Sequence, residues 1–199
     1  MKKLSILILI LPIFFSNLNA VTYNSDPKIF VQELVDDAIK ILSDKSLPVE
    51  EKKIEIEKIA LENVDIKGLG LYTLGSLRKE LSDSDLEKYE KLFEKYFLKS
   101  LTSRLESYSE DKFQVVDAEQ KSSTYTIVNS KIVETSKKPE IKIDWRIYTK
   151  NPNKPLIRDL IVEGLSLART QKEEFSSILI SNDNSINVLF TKLEEFINK

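Results

Sequence analysis

The chain has 199 residues, of which 41% are apolar, with 30 Lys and Arg, 32 Asp and Glu, and neither histidine nor cysteine. Disulfides, Cys or His zinc sites, thiol nucleophiles and Ser-His-Asp triads are therefore excluded. Charges of both signs are interleaved and form no basic stripe, which disfavours nucleic acid as a partner. Catalysis would have to use carboxylates, Lys, Tyr or Ser/Thr, and any metal site would be built from oxygen ligands alone.

The first twenty residues have the pattern of a secretory signal peptide. Lys2 and Lys3 precede an apolar run over residues 4–15, and Ala20 closes a Leu-Asn-Ala cleavage site. A run of about twelve residues is shorter than the roughly 20 that a membrane-spanning helix needs. An uncleaved membrane anchor is the alternative. We expect residues 1–20 to be removed on export and residues 21–199 to form a single domain.

Helical periodicity begins with Asp26 and Pro27, an N-cap followed by proline at the first helical position. Apolar residues then recur at spacings of three and four as far as Leu42. A second helix starts near Pro48, and we expect the Lys-Gly-Leu-Gly stretch at residues 67–70 to break it. A short helical segment follows at about residues 71–81.

The longest periodic segment begins at Ser82, where Asp85 completes a capping box. It is predicted to run to about Tyr108. Large apolar and aromatic residues occupy one face of this helix: Leu86, Tyr89, Phe93, Tyr96, Phe97, Leu101, Leu105 and Tyr108.

After Asp111 the period changes from 3.6 to 2 and β-branched residues become frequent. Strands are predicted at residues 113–116, 125–133, 141–147 and 156–162, and the short turns between them indicate an antiparallel meander. Helices return with a capping box at Thr170 and Glu173 and with a last amphipathic helix near Asn184 and Ser185. The order of helices, strands and helices predicts an α+β fold with a twisted antiparallel sheet of about four strands flanked by helices.

The sequence contains only weak motifs for catalysis or metal binding. Asp159 and Glu163 lie four residues apart on one strand, but a solvated or salt-bridged strand face is favoured over an acid/base pair. Residues 182–185 lack the closing ligand of a calcium loop and instead predict a turn. The apolar stripes, considered alone, predict core more strongly than a ligand cavity.

Asp159, Glu163, Gly164 and Ser166, in the pattern Asp-x-x-x-Glu-Gly-x-Ser, together with the segment at residues 171–179, resemble the signature of the MlaC family. These are periplasmic phospholipid-binding proteins, also called the toluene-tolerance family. The resemblance covers roughly residues 27–197 in the family's order of elements. The chain departs from the family where two tryptophans are usual, at Arg78 and at Pro155 or Leu156.

The resemblance implies a deep apolar pocket that takes the acyl tails of a phospholipid. It implies a periplasmic carrier, not an enzyme, with phospholipid as cargo and no cofactor. The family exchanges lipid with an inner-membrane ABC transporter that has an MCE-domain subunit and with an outer-membrane lipoprotein complex, and it maintains outer-membrane lipid asymmetry. We expect a monomer. The alternatives are an exported adaptor or chaperone that binds apolar peptide in a surface groove and, third, a carboxylate-based hydrolase.

Carried over from the signature, Gly164 would turn the chain from strand to helix, and Asp159 and Glu163 would be structural groups near that bend. Leu165 and Leu167 would then lie at the rim or wall of the pocket. From the apolar stripes we add further wall candidates: Leu74, Phe93, Phe97, Ile143, Trp145 and Phe175.

Overall fold

The computed structural model describes residues 22–105, 112–136 and 138–199, so the predicted signal peptide and Tyr108 lie outside the described residues. Four helices precede the strands: α1 (Pro27–Ser43), α2 (Val49–Asn63), α3 (Ile66–Thr73) and α4 (Asp83–Leu105). The strands are β1 (Phe113–Ser122), β2 (Tyr125–Ile132), β3 (Ile141–Tyr148), β4 (Leu156–Val162) and β5 (Leu165–Ser166). Helices α5 (Leu167–Ile180) and α6 (Ile186–Ile197) follow. The predicted α+β order is confirmed.

The strands form one sheet in the order β1-β2-β3-β4-β5, with every neighbouring pair antiparallel. The predicted meander is thus confirmed, with the two-residue strand β5 added at one edge. Glu163 and Gly164 join β4 to β5 with φ angles of 50° and 81°. Two consecutive left-handed residues suit the tight turns of hairpins, because their twist matches that of the flanking strands.

One face of the sheet is covered by α1. Because the side chains of a strand alternate between faces, Val128, Trp145 and Ile147 lie together and pack against the apolar stripe of the helix. The buried members, which we call the sheet cluster, are Phe30, Val31, Leu34, Val128, Trp145, Ile147 and Ile157.

A second core, the helical cluster, lies among α3, α4, α5 and α6. The long stripe of α4 contributes Tyr89 and Phe93 to it, as the periodicity of that helix predicts. The buried members are Ile66, Leu74, Tyr89, Phe93, Phe175, Leu179, Leu189, Phe190 and Leu193. Val64, partly buried, packs against both clusters.

The short link between α2 and α3 ties the two cores together. Val64 pairs with Ile157 of β4 in an isolated bridge, and the Asp65 amide donates to the Ile157 carbonyl at 2.9 Å. Arg158 forms an ion pair with Asp65 and stacks on the Tyr148 ring, with its guanidinium carbon 3.5 Å from the ring centroid. The helical half is therefore fixed to the sheet by backbone and side-chain bonds.

Residues 67–70 do not break a helix, contrary to the sequence prediction. The break lies at Val64 and Asp65, and Asp65 caps α3 by accepting from the Gly68 amide at 3.0 Å. Gly70 is inside α3, where a Cβ would lie 2.9 Å from Cδ1 of Phe93. This glycine therefore serves close packing of α3 on α4. The segment at 71–81 is likewise not one helix, because α3 ends at Thr73 and a 3₁₀ turn spans Leu77–Lys79.

The N-cap predicted at Ser82 is confirmed, since its Oγ accepts from the Asp85 amide at 3.1 Å, and the Asp85 carboxylate accepts from the Ser82 hydroxyl at 2.7 Å. The capping box predicted at Thr170 is wrong. Helix α5 begins at Leu167, and its N-cap is Ser166, four residues before Thr170. Thr170 is already inside the helix, where its hydroxyl donates to the Ser166 carbonyl at 3.0 Å. Among the described residues, no helix has both the length and the apolar character to span a membrane.

Candidate functional site

The eight predicted wall residues lie in three places. Four belong to the helical cluster or pack against it: Leu74, Phe93, Phe97 and Phe175. Two belong to the sheet cluster or pack against it: Ile143 and Trp145. Two are at the surface: Leu165 and Leu167. The structure therefore groups the first four and does not bring all eight together.

Aromatic rings connect the helical group. The Phe93 ring lies 6.4 Å from Phe97 in a stacked arrangement and 6.3 Å from Phe175 edge-on. Tyr96 continues the series, 5.8 Å from Phe175 and 4.8 Å from Phe196. Each such ring pair stabilises the fold by about 0.5–1.5 kcal/mol beyond the area it buries, so the rings join α4, α5 and α6 into one packed group.

Polar atoms in the helical cluster are few and partnered. The Tyr89 hydroxyl is 2.7 Å from Thr73 Oγ1, and Thr73 donates to the Gly70 carbonyl. Burial raises the pKa of Tyr89 above its ordinary value, and the bond with Thr73 opposes that shift. At the edge of the cluster, the Tyr96 hydroxyl donates to Gln171 Oε1 at 2.7 Å. The surface between these bonds is apolar.

In the sheet group, Trp145 is fixed by directional bonds. Its Nε1 donates to Ser130 Oγ at 2.8 Å, and Ser130 donates to the Ile143 carbonyl at 2.8 Å. A buried hydrogen-bonded chain of this kind holds one rotamer, because breaking it leaves unsatisfied polar atoms. Trp145 therefore behaves as a framework residue in this structure.

Leu165 is 60% exposed and Leu167 is 39% exposed, so both lie at the surface beside the start of α5. Gly164, with a φ of 81°, turns the chain from β4 to β5. The expected turn from strand directly into helix is therefore corrected to a turn from strand to strand, with α5 beginning after Ser166. Apart from its two chain neighbours, no described residue has a heavy atom within 4 Å of the position that a Cβ would take at Gly164.

The polar residues of the signature assemble the start of α5. Asp159 is 3% exposed, and its carboxylate accepts from Ser166 Oγ at 2.6 Å and from the Ala168 amide at 3.0 Å. Ser166 Oγ in turn accepts from the Arg169 amide at 3.1 Å. These bonds satisfy backbone amides that the first helical turn leaves free.

Glu163 accepts from the backbone amide of Lys142 on β3. The predicted structural roles of Asp159 and Glu163 are thus confirmed, and both carboxylates are engaged in bonds that hold the hairpin and the helix. Among the described residues, no group of three or more carboxylates could hold a metal ion.

A cleft of about 650 Å³ between α3 and α5 was not predicted. Tyr72 lines it from α3, and Arg169, Lys172, Glu173 and Ser176 line it from α5. The spacing of the α5 residues at three and four indicates one helix face. Tyr72 lies in a different helix, so the sequence alone contains no signal that joins it to them.

Comparison with known proteins identifies the fold. A family model described as MlaC protein matches residues 32–195. A solved structure of the phospholipid-binding protein from Ralstonia solanacearum, in complex with a phospholipid, superposes with a TM-score of 0.70 and 18% sequence identity. The match covers 84% of this chain and 94% of that one. No curated protein matches the chain. Because the family model spans α1 to α6, the chain belongs to the MlaC family.

Proposed function

We propose that this protein is a carrier that binds the acyl tails of a phospholipid and moves the lipid between the outer and inner membranes, maintaining outer-membrane lipid asymmetry. The observation that carries the proposal is the family match over residues 32–195. It is supported by the likeness in fold to a protein determined in complex with a phospholipid.

A carrier is needed because tails do not cross water freely. A diacyl lipid exposes about 30 methylenes at roughly 0.8 kcal/mol each, so free transfer costs on the order of 20 kcal/mol. A protein that moves the lipid must bury nearly all of that surface. Tails form no directional bonds, so the task requires apolar side chains and neither histidine nor cysteine.

The tails are proposed to enter at the helical cluster. Its rings of Phe93, Phe97 and Phe175 are held by packing, whereas Trp145 in the sheet cluster is fixed by hydrogen bonds. Helix α5 covers the helical cluster and begins at the exposed Leu167, two residues after the exposed Leu165. These two leucines would form the apolar rim that a tail passes.

The remaining features of the proposal follow the family. The protein would work in the periplasm after removal of residues 1–20, as a monomer without a cofactor and without catalysis. It would receive and deliver lipid at an inner-membrane ABC transporter with an MCE-domain subunit and at an outer-membrane lipoprotein complex. The bonded state of Asp159 and Glu163 supports a role without acid/base chemistry.

The proposal is tested by incubating delipidated protein with liposomes that contain labelled phospholipid and separating the two by size. We expect saturable uptake by the wild type. Leu165→Glu is expected to fold normally, since Leu165 is 60% exposed, and to lose most uptake because a charge at the rim opposes tail entry.

Leu61→Glu on α2 is the matched control, because Leu61 is 48% exposed and far along the chain from α5. It is expected to take up lipid like the wild type. Normal uptake by Leu165→Glu would refute the position of the rim. Absence of uptake by the wild type, together with saturable binding of an apolar peptide, would replace the carrier with the adaptor or chaperone.

A further inference from the structure

The cleft between α3 and α5 has an arrangement of charge that the tail-binding proposal does not use. On α5, Arg169, Lys172 and Ser176 follow one another at intervals of three and four residues and therefore form one row along the helix. Glu173 and Ser177 form a parallel row beside it. Tyr72 of α3 closes the opposite side.

The two cations of the first row are available to a ligand. Within the described part of the chain, neither Arg169 nor Lys172 pairs with a carboxylate. The Lys172 ammonium lies 5.1 Å from the centroid of the Tyr72 ring, and its Cε is 3.4 Å from the position of a Cβ at Gly75. The ring and the bare glycine therefore hold the lysine in the cleft by cation–π attraction and close packing.

Other groups in the cleft favour an anion close to the cations. The first-turn amides of α5 are already capped by Asp159 and Ser166, so the attraction for an anion in the cleft comes from Arg169 and Lys172 themselves. The hydroxyls of Ser176 and Ser177 make no hydrogen bond among the described residues. A phosphate group matches this set, because it offers several oxygens to guanidinium, ammonium and hydroxyl donors at once.

Glu173 adds a negative charge four residues after Arg169 and one after Lys172, on the neighbouring row. No cation in the described residues pairs with it. A simple anion would be repelled by this carboxylate, whereas a zwitterion would place its cationic end there. Two cations beside one carboxylate thus match a phosphate joined by a short linker to an amine.

We propose that this cleft binds a phosphoethanolamine group, with the phosphate at Arg169 and Lys172 and the ammonium at Glu173. The inference rests on the proposed function for its biological source, a phospholipid headgroup. Helices α3 and α5, which form the two walls, also supply Ile66, Phe175 and Leu179 to the helical cluster. The proposed tail site and the cleft therefore share two helices.

The test is an NMR titration of the isotopically labelled chain with soluble probes. Glycerophosphoethanolamine is expected to shift the backbone amides of Arg169, Lys172 and Glu173 saturably. Glycerophosphoglycerol, which lacks the amine, is expected to bind about threefold more weakly, the scale of one exposed ion pair. Inorganic phosphate is expected to bind more weakly than glycerophosphoethanolamine.

The double variant Arg169→Ala/Lys172→Ala is expected to bind glycerophosphoethanolamine about tenfold more weakly, because two charge-assisted contacts to the phosphate are lost. Glu173→Gln is expected to remove the preference for the amine. The matched control Lys91→Ala/Lys192→Ala removes two positive charges from α4 and α6 and is expected to bind like the wild type.

Four results would overturn the proposal: no saturable shift with any probe, shifts that map away from α5, equal or tighter binding of glycerophosphoglycerol, or an equal loss of affinity in the control. Inorganic phosphate binding as tightly as glycerophosphoethanolamine would assign the cleft to free phosphate instead. Liposome uptake by the wild type is scored separately. Uptake without probe binding refutes the cleft alone, whereas absent uptake refutes the carrier.

Discussion

Gly164 is the position where backbone conformation alone limits the residue type. Its φ of 81° is unfavourable for residues with a Cβ, while within the described part of the chain only its two sequence neighbours could lie within 4 Å of the place a Cβ would occupy. Gly164→Ala is therefore expected to lower the free energy of unfolding by about 1 kcal/mol through strain alone. Urea denaturation measures this difference.

Gly164→Asn is the matched variant, because asparagine tolerates left-handed backbone better than alanine does. It is expected to lose less stability than Gly164→Ala. An alanine variant as stable as the wild type would contradict the strain argument. Gly70 differs in kind, since a Cβ there would meet the Phe93 ring at 2.9 Å.

Because of Tyr89, the free energy of unfolding depends on pH in the alkaline range. Burial raises the pKa of its hydroxyl, so the folded protein keeps the proton where the unfolded chain loses it. The stabilisation is fully present below the unfolded pKa of about 10 and is lost as the pH rises further. We therefore expect the free energy of unfolding to decline above about pH 10.

Tyr89→Phe is expected to lower the free energy of unfolding by about 1 kcal/mol at neutral pH, because the bond with Thr73 is lost. Above pH 10 the free energy of unfolding of this variant should decline less steeply than that of the wild type. Urea denaturation of both proteins at several pH values measures the two slopes. Burial also raises the pKa of Tyr23, so the stability of the variant should still fall at alkaline pH. The test is therefore whether its slope is smaller than that of the wild type. Parallel slopes would show that Tyr89 contributes nothing to the pH dependence.

At the scale of the element, Asp159 joins β4 to α5. Asp159→Ala removes both bonds to the helix start while leaving Ser166 and the Ala168 amide without their partner. We expect a loss of about 2–3 kcal/mol in the free energy of unfolding. Amide exchange should be accelerated most in the first turn of α5.

Asp117→Ala is the control for this change, because Asp117 is an exposed residue of β1. A loss below about 0.5 kcal/mol is expected there. If Asp159→Ala were as stable as Asp117→Ala, the signature would have to be explained by something other than the support of α5.

The elements that were predicted correctly are those with a local signal. Asp26 caps α1, Ser82 caps α4, and alternation marks the strand that contains Trp145. The stretch that contains Gly70 was wrongly predicted to break a helix. Position 70 requires glycine because the Phe93 ring packs against it, and that ring lies on another helix. The start of α5 was misplaced because Ser166 receives its partner, Asp159, from the preceding strand.

The candidate site was predictable only in part, for the same reason. The stripe of α4 predicted that Phe93 and Phe97 would face inwards, but the distribution of the eight candidates over two cores and the surface depends on how α3 to α6 pack away from the sheet. Periodicity does not contain that information. The cleft needs Tyr72 opposite Lys172, a pairing that exists only after α3 and α5 meet.

At the scale of the whole molecule, the two cores have distinct characters. The sheet cluster is fixed by α1 and by the hydrogen-bonded chain at Trp145. The helical cluster is held mainly by rings and aliphatic side chains. Val64 and the ion pair between Asp65 and Arg158 connect them. A hydrogen-bonded sheet beside a core with few directional bonds would suit the proposed binding of acyl tails of varied length.

The most direct test of the carrier is to purify the protein from the periplasm under mild conditions, extract it with organic solvent and identify the extract by mass spectrometry. We expect phospholipid in amounts comparable to the protein, less of it in Leu165→Glu, and an unchanged amount in Leu61→Glu. A protein that carries no phospholipid from the cell and takes none from liposomes is not a phospholipid carrier.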